Sequence, residues 1–332
     1  MKRLILISII FGQLGSVFPQ DPIISAFTSS PLSINPATTG TFQNEKLRIY
    51  TGIDRDHHPL EKSSDGFTTI NFAVDISLLK GRLGIGNVFY YDKNPIIKAA
   101  CELLSLSYKI NIFRTYKLNV GIQGGVFYKQ LDWDKLTFGD PVSERFGFIY
   151  NTQEQRPSNS DLTKYYPDFN FGTMLFKQSD TSVFNPWIGF SIFHIFEPEE
   201  GFISLSRLPR KWTAYAGADI AINNQLYATT VLYYSQQRQF GDIAVSEVFN
   251  FHKKHFSFKI GGSIRVLTHQ LHLQLKDQLQ IQYSTLIGGG YGGFELLFDF
   301  LTIRSYNNNI YFLSPSHLTL RYKLKSKAKT KY

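Results

Sequence analysis

The sequence contains almost no cysteine, since Cys101 is the only one among its 332 residues. The chain opens with the charged residues MKR and the apolar run LILISIIF, a combination typical of a secretory signal peptide. We assign residues 1–19 to this signal, with Ser16 and Gln20 as the two candidate cleavage boundaries. An exported chain with one cysteine forms no internal disulfide, so non-covalent packing must hold the mature protein together.

No later stretch is long and apolar enough to cross a membrane as a helix, which needs roughly 20 apolar residues. Yet 43% of the residues are hydrophobic and 15% are aromatic. These facts leave a large soluble β protein or a transmembrane β-barrel, whose strands never form long apolar runs. The formal net charge is +9, and in an exported protein we expect this charge to meet anionic lipid or cell-wall polymer, with no nucleic acid partner.

The chain has instead a period-2 alternation of apolar and polar residues along most of its length. Clear examples are FTTINFAVDISL (67–78), LLSLSYKINI (103–112), HFSFKIGGSIRV (255–266) and HLTLRYKL (317–324). In the first of these, Ile70, Phe72 and Val74 alternate with the polar residues Thr69, Asn71 and Asp75. Such alternation predicts strands with one apolar and one polar face, and no helical period of useful length competes with it.

About fourteen such segments are present, with a range of 12 to 16, and their connections fall into two classes by length. The segments start near residues 46, 67, 81, 100, 116, 166, 182, 211, 225, 242, 255, 278, 291 and 316. Short connections follow even-numbered segments, at Lys80-Gly81, Phe113–Thr115, Gln178–Asp180, Asn223-Asn224, His252–Lys254 and Gly288–Gly290. The connections after odd-numbered segments are mostly longer, as at 54–66, 133–165, 197–209 and 305–315.

This parity of loop length is typical of outer-membrane barrels, which have short periplasmic turns and long extracellular loops. We therefore predict an all-β fold: a transmembrane antiparallel β-barrel over residues 46–325, integral to the outer membrane, with both termini periplasmic. A periplasmic leader (20–45) precedes it and a basic tail (326–332) follows it. The charged residues on the polar faces, which we expect to point into the lumen, are Lys109, Lys129, Asp219, Lys259, Arg265 and Arg321.

Motifs that carry enzymatic chemistry are missing, and we predict neither an enzyme nor a cofactor or metal site. The sequence has no G-x-S-x-G and no H-E-x-x-H, and the GGGYGG run at 288–293 lacks the Lys-Ser/Thr of a phosphate loop. The histidines of HKKH (252–255), His57-His58 and the carboxylates at 132–134 and 197–200 are interpreted as solvated loop residues. An outer-membrane hydrolase stays open as an alternative, although Ser191 and His194 are a poor pair because odd spacing in a strand places them on opposite faces.

The leader contains the stretch SPLSINPATTG, Ser30 to Gly40, which is rich in turn-forming residues. Proline fixes its own φ and biases the preceding residue toward extended geometry, and Asn-Pro and Gly mark turns. Local chemistry alone favours a constrained surface linker before the first strand.

The wider segment QDPIISAFTSSPLSINPATTG resembles the mature start of the PorP/SprF family of Bacteroidetes outer-membrane proteins. The matching positions are Gln20, Asp21, Pro22, Pro31, Asn35, Pro36, Ala37 and Gly40. Four later segments resemble family strands in order: KLNVGIQGGVFYKQLD (117–132), YPDFNFGTMLF (166–176), PWIGFSIFHIFEP (186–198) and FKIGGSIR (258–265). The family's Gln-Trp after the first strand is replaced here by DRDHHP (54–59), so a contact made there in relatives does not transfer.

The resemblance implies a non-catalytic outer-membrane component of the type IX secretion system, which is shared with gliding motility. It implies PorK/PorN-type ring proteins and secreted clients with C-terminal secretion domains as partners, with outer-membrane lipid around the barrel. It also suggests that the leader either folds into the barrel mouth or docks on a partner, through Pro31, Asn35, Pro36, Ala37 and Gly40. The long loop 133–165 is the expected client surface, and a passive transporter or porin is the main alternative.

Overall fold

The computed structural model describes residues 30–41, 45–56, 67–136, 142–143, 147–148, 154–179, 181–202, 205–269, 279–305 and 310–325. The signal peptide, the leader residues Gln20, Asp21 and Pro22, the pair His57-His58 and the tail 326–332 lie outside the described residues. Within the described ranges, no helix has the length and hydropathy that crossing a bilayer requires.

Fourteen antiparallel strands close into one barrel, and within the described chain a further two-stranded hairpin lies outside it. The barrel strands are β1 Glu45–Asp56, β2 Phe67–Leu78, β3 Leu83–Lys93, β4 Ile97–Asn111, β5 Tyr116–Leu131, β8 Thr163–Lys177, β9 Phe184–Phe193, β10 Lys211–Ala221, β11 Leu226–Gln237, β12 Phe240–Lys253, β13 Phe256–His269, β14 Leu279–Tyr291, β15 Phe294–Ser305 and β16 Ile310–Lys325. The hairpin pairs β6 Val142–Ser143 with β7 Gly147–Phe148, in the loop between β5 and β8. Each barrel strand pairs with its neighbours in sequence, and β1 pairs with β16 to close the ring.

The predicted fold and strand number are confirmed, and two predicted connections are wrong. Gly288–Gly290 lies inside β14, and the turn comes at Gly292-Gly293, whose positive φ angles of 64° and 112° suit glycine. The predicted long loop 305–315 is shorter, because β16 begins at Ile310 and pairs with the end of β15. Two register shifts in this ladder accommodate the irregular stretch that includes Pro315.

The barrel is apolar outside and polar inside, the reverse of a soluble protein. Leu104 is 65% exposed, whereas the adjacent Ser105 is 2% exposed. The same contrast recurs around the ring, and the buried polar side chains include Asn119, Gln123, Asn170, Thr213, Ser246 and Thr319. An outward apolar belt on a closed barrel is the arrangement that a lipid bilayer requires, so the fold is that of an integral outer-membrane protein.

The two ends of the barrel differ in their connections. At one end, which we call the short-turn end, β2–β3, β4–β5, β8–β9, β10–β11, β12–β13 and β14–β15 are joined by turns of a few residues. The other end, the long-loop end, carries the connections between β1 and β2, β5 and β8, and β9 and β10. The chain enters β1 and leaves β16 at the short-turn end.

One seam of the barrel is only partly paired. β8 and β9 are in register from Phe171–Ile192 to Phe176–Trp187, although β8 extends back to Thr163. Beyond β9, His194 has a positive φ of 56°, which turns the chain inward. The loop then continues the seam with single contacts, such as the Ile195 nitrogen donating to the Phe169 carbonyl at 3.0 Å.

Candidate functional site

Residues 30–41, which we call the plug segment, lie inside the barrel in the half nearer the short-turn end. The segment forms two single 3₁₀ turns, Pro31–Ser33 and Pro36–Thr38, each starting with a proline. Proline suits the first helical position because its φ is already set and its missing N–H would lack a partner there. The Asn35 carbonyl side chain caps the second turn by accepting from the Ala37 nitrogen at 2.8 Å.

The plug segment crosses the lumen and packs on opposite walls. Leu32 is fully buried in an apolar cluster with Tyr50, Ala73, Val88, Cys101 and Leu103 on β1 to β4. Ile34, two residues later, packs against Tyr215, Val231, Tyr233 and Ala244 on β10 to β12. The two apolar anchors therefore tie both sides of the barrel to one short segment of chain.

Asn35 is the most extensively bonded side chain of the plug segment. Its amide Nδ2 donates to the Thr173 carbonyl on β8 at 2.9 Å and to the Phe190 carbonyl on β9 at 3.2 Å. With Oδ1 occupied by Ala37, all of its polar groups have partners, and the side chain is fully buried. Asparagine is the residue suited to this position, because it supplies two donors and one acceptor on a short side chain.

The barrel wall satisfies the backbone carbonyls of the plug segment through polar side chains on the inner face. Ser107 Oγ donates to the Thr39 carbonyl at 2.6 Å, and Ser191 Oγ donates to the Ile34 carbonyl at 2.6 Å. Asn119 Nδ2 donates to the Ala37 carbonyl at 2.5 Å. Because buried carbonyls need partners, these three donors make the lumen specific for an irregular segment in this position.

An ion pair holds the far end of the plug segment. Arg48 on β1 contacts the Asp75 carboxylate on β2, with Nη2 to Oδ2 at 2.8 Å. Asp75 Oδ2 also accepts from the Gly40 nitrogen at 2.8 Å, and Arg48 Nη2 donates to the Thr38 carbonyl at 3.3 Å. The pair thus binds both a donor and an acceptor of the segment.

Two glycines leave the space that the plug segment occupies. A Cβ on Gly121 of β5 would lie 2.5 Å from the Ala37 nitrogen. A Cβ on Gly172 of β8 would overlap the Asn35 side-chain oxygen. The lumen at this level is therefore shaped for the segment, since a larger residue at either position would displace it.

The charged residues predicted for the lumen lie at scattered positions along it, and most meet a partner of opposite charge. Lys259 and Arg321 contact Glu295 at 3.0 and 3.5 Å, and Arg265 contacts Asp242 at 3.3 Å. Lys129 pairs with Glu200 of the loop after β9. Asp219 accepts from Thr229 Oγ1 at 2.7 Å, whereas the Lys109 ammonium lies 5.5 Å from the centre of the Phe176 ring.

A cavity of about 330 Å³ remains between the plug segment and the opposite wall. Its lining mixes aromatic residues with cations, and includes Trp187, Tyr215, Tyr233, Lys259, Arg48 and Arg321. The plug segment closes one side of it through Pro31, Ile34, Thr38 and Thr41. The plug segment thus fills part of the lumen at this level and leaves an open cavity beside it.

The residues considered for metal binding or hydrolysis have other contacts. His252 stacks on Tyr227 with ring planes 5° apart, and Asp134 pairs with Arg156. Within the described ranges, no group of three or more His, Cys, Asp or Glu side chains is arranged to hold a metal ion. The carboxylates of the loop after β9 face cations, with Glu199 3.2 Å from Lys164 and Glu197 3.6 Å from Arg210.

The reason given from the sequence for rejecting Ser191 and His194 as a pair is wrong. His194 lies beyond the end of β9, and its positive φ brings it into the buried interior, so strand parity does not apply to it. The two side chains nevertheless serve different partners. Ser191 donates to the Ile34 carbonyl, and His194 Nδ1 lies 2.9 Å from Asp168 Oδ2.

Sequence reasoning missed Leu32, Asp75, Gly121 and Gly172 as parts of this site. Asp75 carried a usable signal, because a carboxylate in the middle of a polar strand face needs a partner. The role of the two glycines depends on what occupies the lumen opposite them, which local sequence does not reveal.

Comparisons with known proteins give a family and a fold for the chain. A family model described as type IX secretion system membrane protein PorP/SprF matches residues 16–315. No curated protein matches the chain. Among solved structures, the chain is similar to the CymD monoaromatic hydrocarbon channel, with 9% identity, 90% of this chain and 92% of that chain covered, and a TM-score of 0.51. It is also similar to a Pseudomonas aeruginosa FadL homologue, with 10% identity, 94% of this chain and 96% of that chain covered, and a TM-score of 0.51. Identities this low show the barrel fold alone.

Proposed function

Because the chain belongs to the PorP/SprF family of type IX secretion system membrane proteins, we propose that it is a non-catalytic outer-membrane component of that system and of the associated gliding machinery. In this role it supports the export or surface retention of secreted clients through protein–protein contacts. Family membership supports the assignment to type IX secretion, and the structure of the lumen supports action through protein–protein contacts.

The observation that carries the mode of action is the occupied lumen. The plug segment is anchored on opposite walls by Leu32 and Ile34 and is bonded to β8 and β9 through Asn35. A passive porin needs a continuous water-filled passage, whereas this barrel devotes buried polar side chains to holding a segment of its own chain across it. A lumen occupied by the protein's own chain favours a scaffold that acts through its two rims.

We place the short-turn end and both termini in the periplasm, where PorK/PorN-type ring proteins would meet the barrel. The long loop between β5 and β8, predicted from the sequence as 133–165, then faces outward as the surface for clients with C-terminal secretion domains. The apolar belt contacts outer-membrane lipid. Pro31, Asn35, Pro36, Ala37 and Gly40 act in this proposal by seating the plug segment, and they would reach a partner only if the segment left the lumen.

The test is affinity purification of the full-length tagged protein from solubilised outer membranes of its native host, followed by mass spectrometry. Recovery of a large protein with a C-terminal secretion domain, or of periplasmic ring lipoproteins, supports the proposal. A variant with residues 137–153 replaced by a Gly-Ser linker should lose the client and keep the ring proteins. An untagged strain and an unrelated tagged barrel from the same membrane serve as controls.

A porin or transporter is the alternative that this experiment separates from the proposal. One of the similar solved structures is titled a monoaromatic hydrocarbon channel, and the cavity beside the plug segment is the feature that a transported molecule would use. If the barrel purified without secretion components and conducted ions steadily in a planar bilayer, the secretion role would fail and the transporter role would replace it.

A further inference from the structure

A wide cavity of about 1370 Å³ opens at the short-turn end, and we call it the basic mouth. It is formed by the start of β1, the β2–β3 turn, the end of β4, the start of β5 and the end of β8. Its polar lining consists of Lys46, Ser77, Lys80, Arg82, Lys109, Asn111, Lys117 and Gln178. Five of these residues are cations, and among the residues that the structure describes the lining includes no carboxylate.

The cations of the basic mouth differ in their contacts from four cations elsewhere in the barrel. Lys129, Lys259, Arg265 and Arg321 each lie within 4.0 Å of a carboxylate. Across the part of the chain that the structure describes, none of the five mouth cations forms such a pair. Their charge is therefore available to a ligand.

The backbone fixes two of these cations at the rim. Leu79 and Lys80 have positive φ angles of 49° and 57°, a conformation that non-glycine residues rarely adopt. The turn is tied to β4 by the Lys109 nitrogen, which donates to the Arg82 carbonyl at 2.8 Å. The strained turn presents Lys80 and Arg82 as exposed side chains beside the opening.

Two further cations line the inner wall of the mouth. Lys117 lies opposite Asn111 in the β4–β5 ladder, and Lys109 lies opposite Asn119, whose amide holds the plug segment. Like charges gathered around one cavity raise its positive potential, because the low-dielectric wall screens them less than water does. An anionic ligand would relieve this repulsion.

The size of the cavity selects among anionic ligands. Pockets for small molecules have volumes of about 300–1,000 Å³, and the basic mouth exceeds that range. Five separated cations around an open cavity match several carboxylates spaced along a chain better than they match one phosphate group. We propose that the basic mouth binds an acidic segment of a protein partner; this rests on the proposed function only for the assignment of that partner to the periplasm.

The bound segment would lie next to the end of the plug segment. Gly40 packs closely on Gly84 of β3, two residues beyond Arg82, and Ser107, two residues before Lys109, holds the Thr39 carbonyl. A partner at the basic mouth therefore contacts the same strands that seat the plug segment.

The test measures binding of a fluorescent ten-residue glutamate peptide to the purified full-length barrel by anisotropy, at several salt concentrations. The variant K80Q/R82Q removes two mouth cations. The variant K253Q/K254Q removes two cations from the β12–β13 turn, on the far side of the ring, and serves as a charge-matched control. We expect K80Q/R82Q to weaken binding at least tenfold and K253Q/K254Q to weaken it less than twofold, with salt weakening both.

Equal losses of peptide affinity in the two variants would mean that binding depends on net charge and not on the basic mouth, and this would overturn the proposal. Absence of peptide binding to the wild-type barrel would overturn it directly. Competition by inorganic phosphate at matched charge concentration would mean a simple anion site. Preferential binding of vesicles with anionic lipid, sensitive to K80Q/R82Q, would mean a lipid site. Either result also overturns the proposal. Each outcome leaves the proposed secretion role to be decided by co-purification alone.

Discussion

Arg48 and Asp75 lie on neighbouring strands and form a two-point ion pair, with Nε to Oδ1 at 2.9 Å and Nη2 to Oδ2 at 2.8 Å. The Asp75 side chain is fully buried and that of Arg48 is 12% exposed. The same two side chains bind the Gly40 nitrogen and the Thr38 carbonyl. The pair therefore couples closure of the β1–β2 wall to the position of the plug segment.

Replacing Asp75 by alanine should destabilise the barrel and release the end of the plug segment. The substitution leaves Arg48 without its partner in the lumen, a change that typically costs about 3–5 kcal/mol. Heat or urea unfolding in detergent measures the effect. Asp134→Ala breaks the exposed pair with Arg156 and should cost less than about 1 kcal/mol, so equal losses would contradict a special role for Asp75.

Replacing Gly172 by alanine should push Asn35 out of its site, because the new Cβ overlaps the Asn35 oxygen. Overpacking of this kind costs about 1–3 kcal/mol. Displacement is read by maleimide labelling of Thr38→Cys in a Cys101→Ser background, where labelling should rise several-fold over the unmodified glycine. Gly289→Ala is the matched control, since a Cβ there meets nothing within 4 Å. Unchanged labelling in the Gly172 variant would show that the segment does not depend on this clearance.

Replacing Glu295 by leucine should be strongly destabilising, because Lys259, Arg321 and Lys323 all lie within 3.9 Å of its carboxylate. The three cations would then lose the carboxylate that they share, at a cost of about 3–5 kcal/mol. Adding Lys259→Met to Glu295→Leu removes one of the cations and should recover part of the loss, as the unfolding midpoint would report. A double variant no better than Glu295→Leu alone would mean that packing, not charge, explains the effect.

Replacing His194 by alanine should loosen the loop that closes the β8–β9 seam. His194 contacts Asp168 through Nδ1 at 2.9 Å and donates its backbone nitrogen to Asn170 Oδ1 at 3.0 Å. Trypsin cleavage at Arg207 and Arg210 should become several-fold faster. His194→Asn keeps a residue that tolerates positive φ, and its cleavage rate should lie between those of the wild type and His194→Ala. An equal cleavage rate in the wild type and His194→Ala would exclude a role for His194 in the seam.

The wall of the barrel could be predicted from the sequence because its rule is local. A lipid-facing strand must alternate, so FTTINFAVDISL identifies both β2 and its outward face, and loop parity orders the strands. The family resemblance, drawn from short motifs such as Asn-Pro-Ala, is confirmed by the match over residues 16–315. The turn predicted at Gly288–Gly290 was wrong because glycine also occurs within strands: these residues lie in β14, and the turn is at Gly292-Gly293.

The interior could not be predicted in the same way, because its contacts join residues far apart in the chain. Asn35 is 138 positions from Thr173, and Ser191 is 157 positions from Ile34. Only closure of the ring brings these groups together. The prolines and the asparagine of SPLSINPATTG predict a constrained turn. Its location in the lumen depends on the polar inner face of the barrel as a whole, which this local stretch does not reveal.

The most direct test of a closed lumen is the ion conductance of the purified full-length barrel in a planar bilayer. If the plug segment blocks the lumen, wild-type protein should show no steady current, and Asn35→Ala combined with Gly172→Val should produce stable open channels. Gly289→Val should remain silent like the wild type. A steady wild-type current equal to that of the double variant would contradict a closed lumen and, with it, the scaffold mode of action.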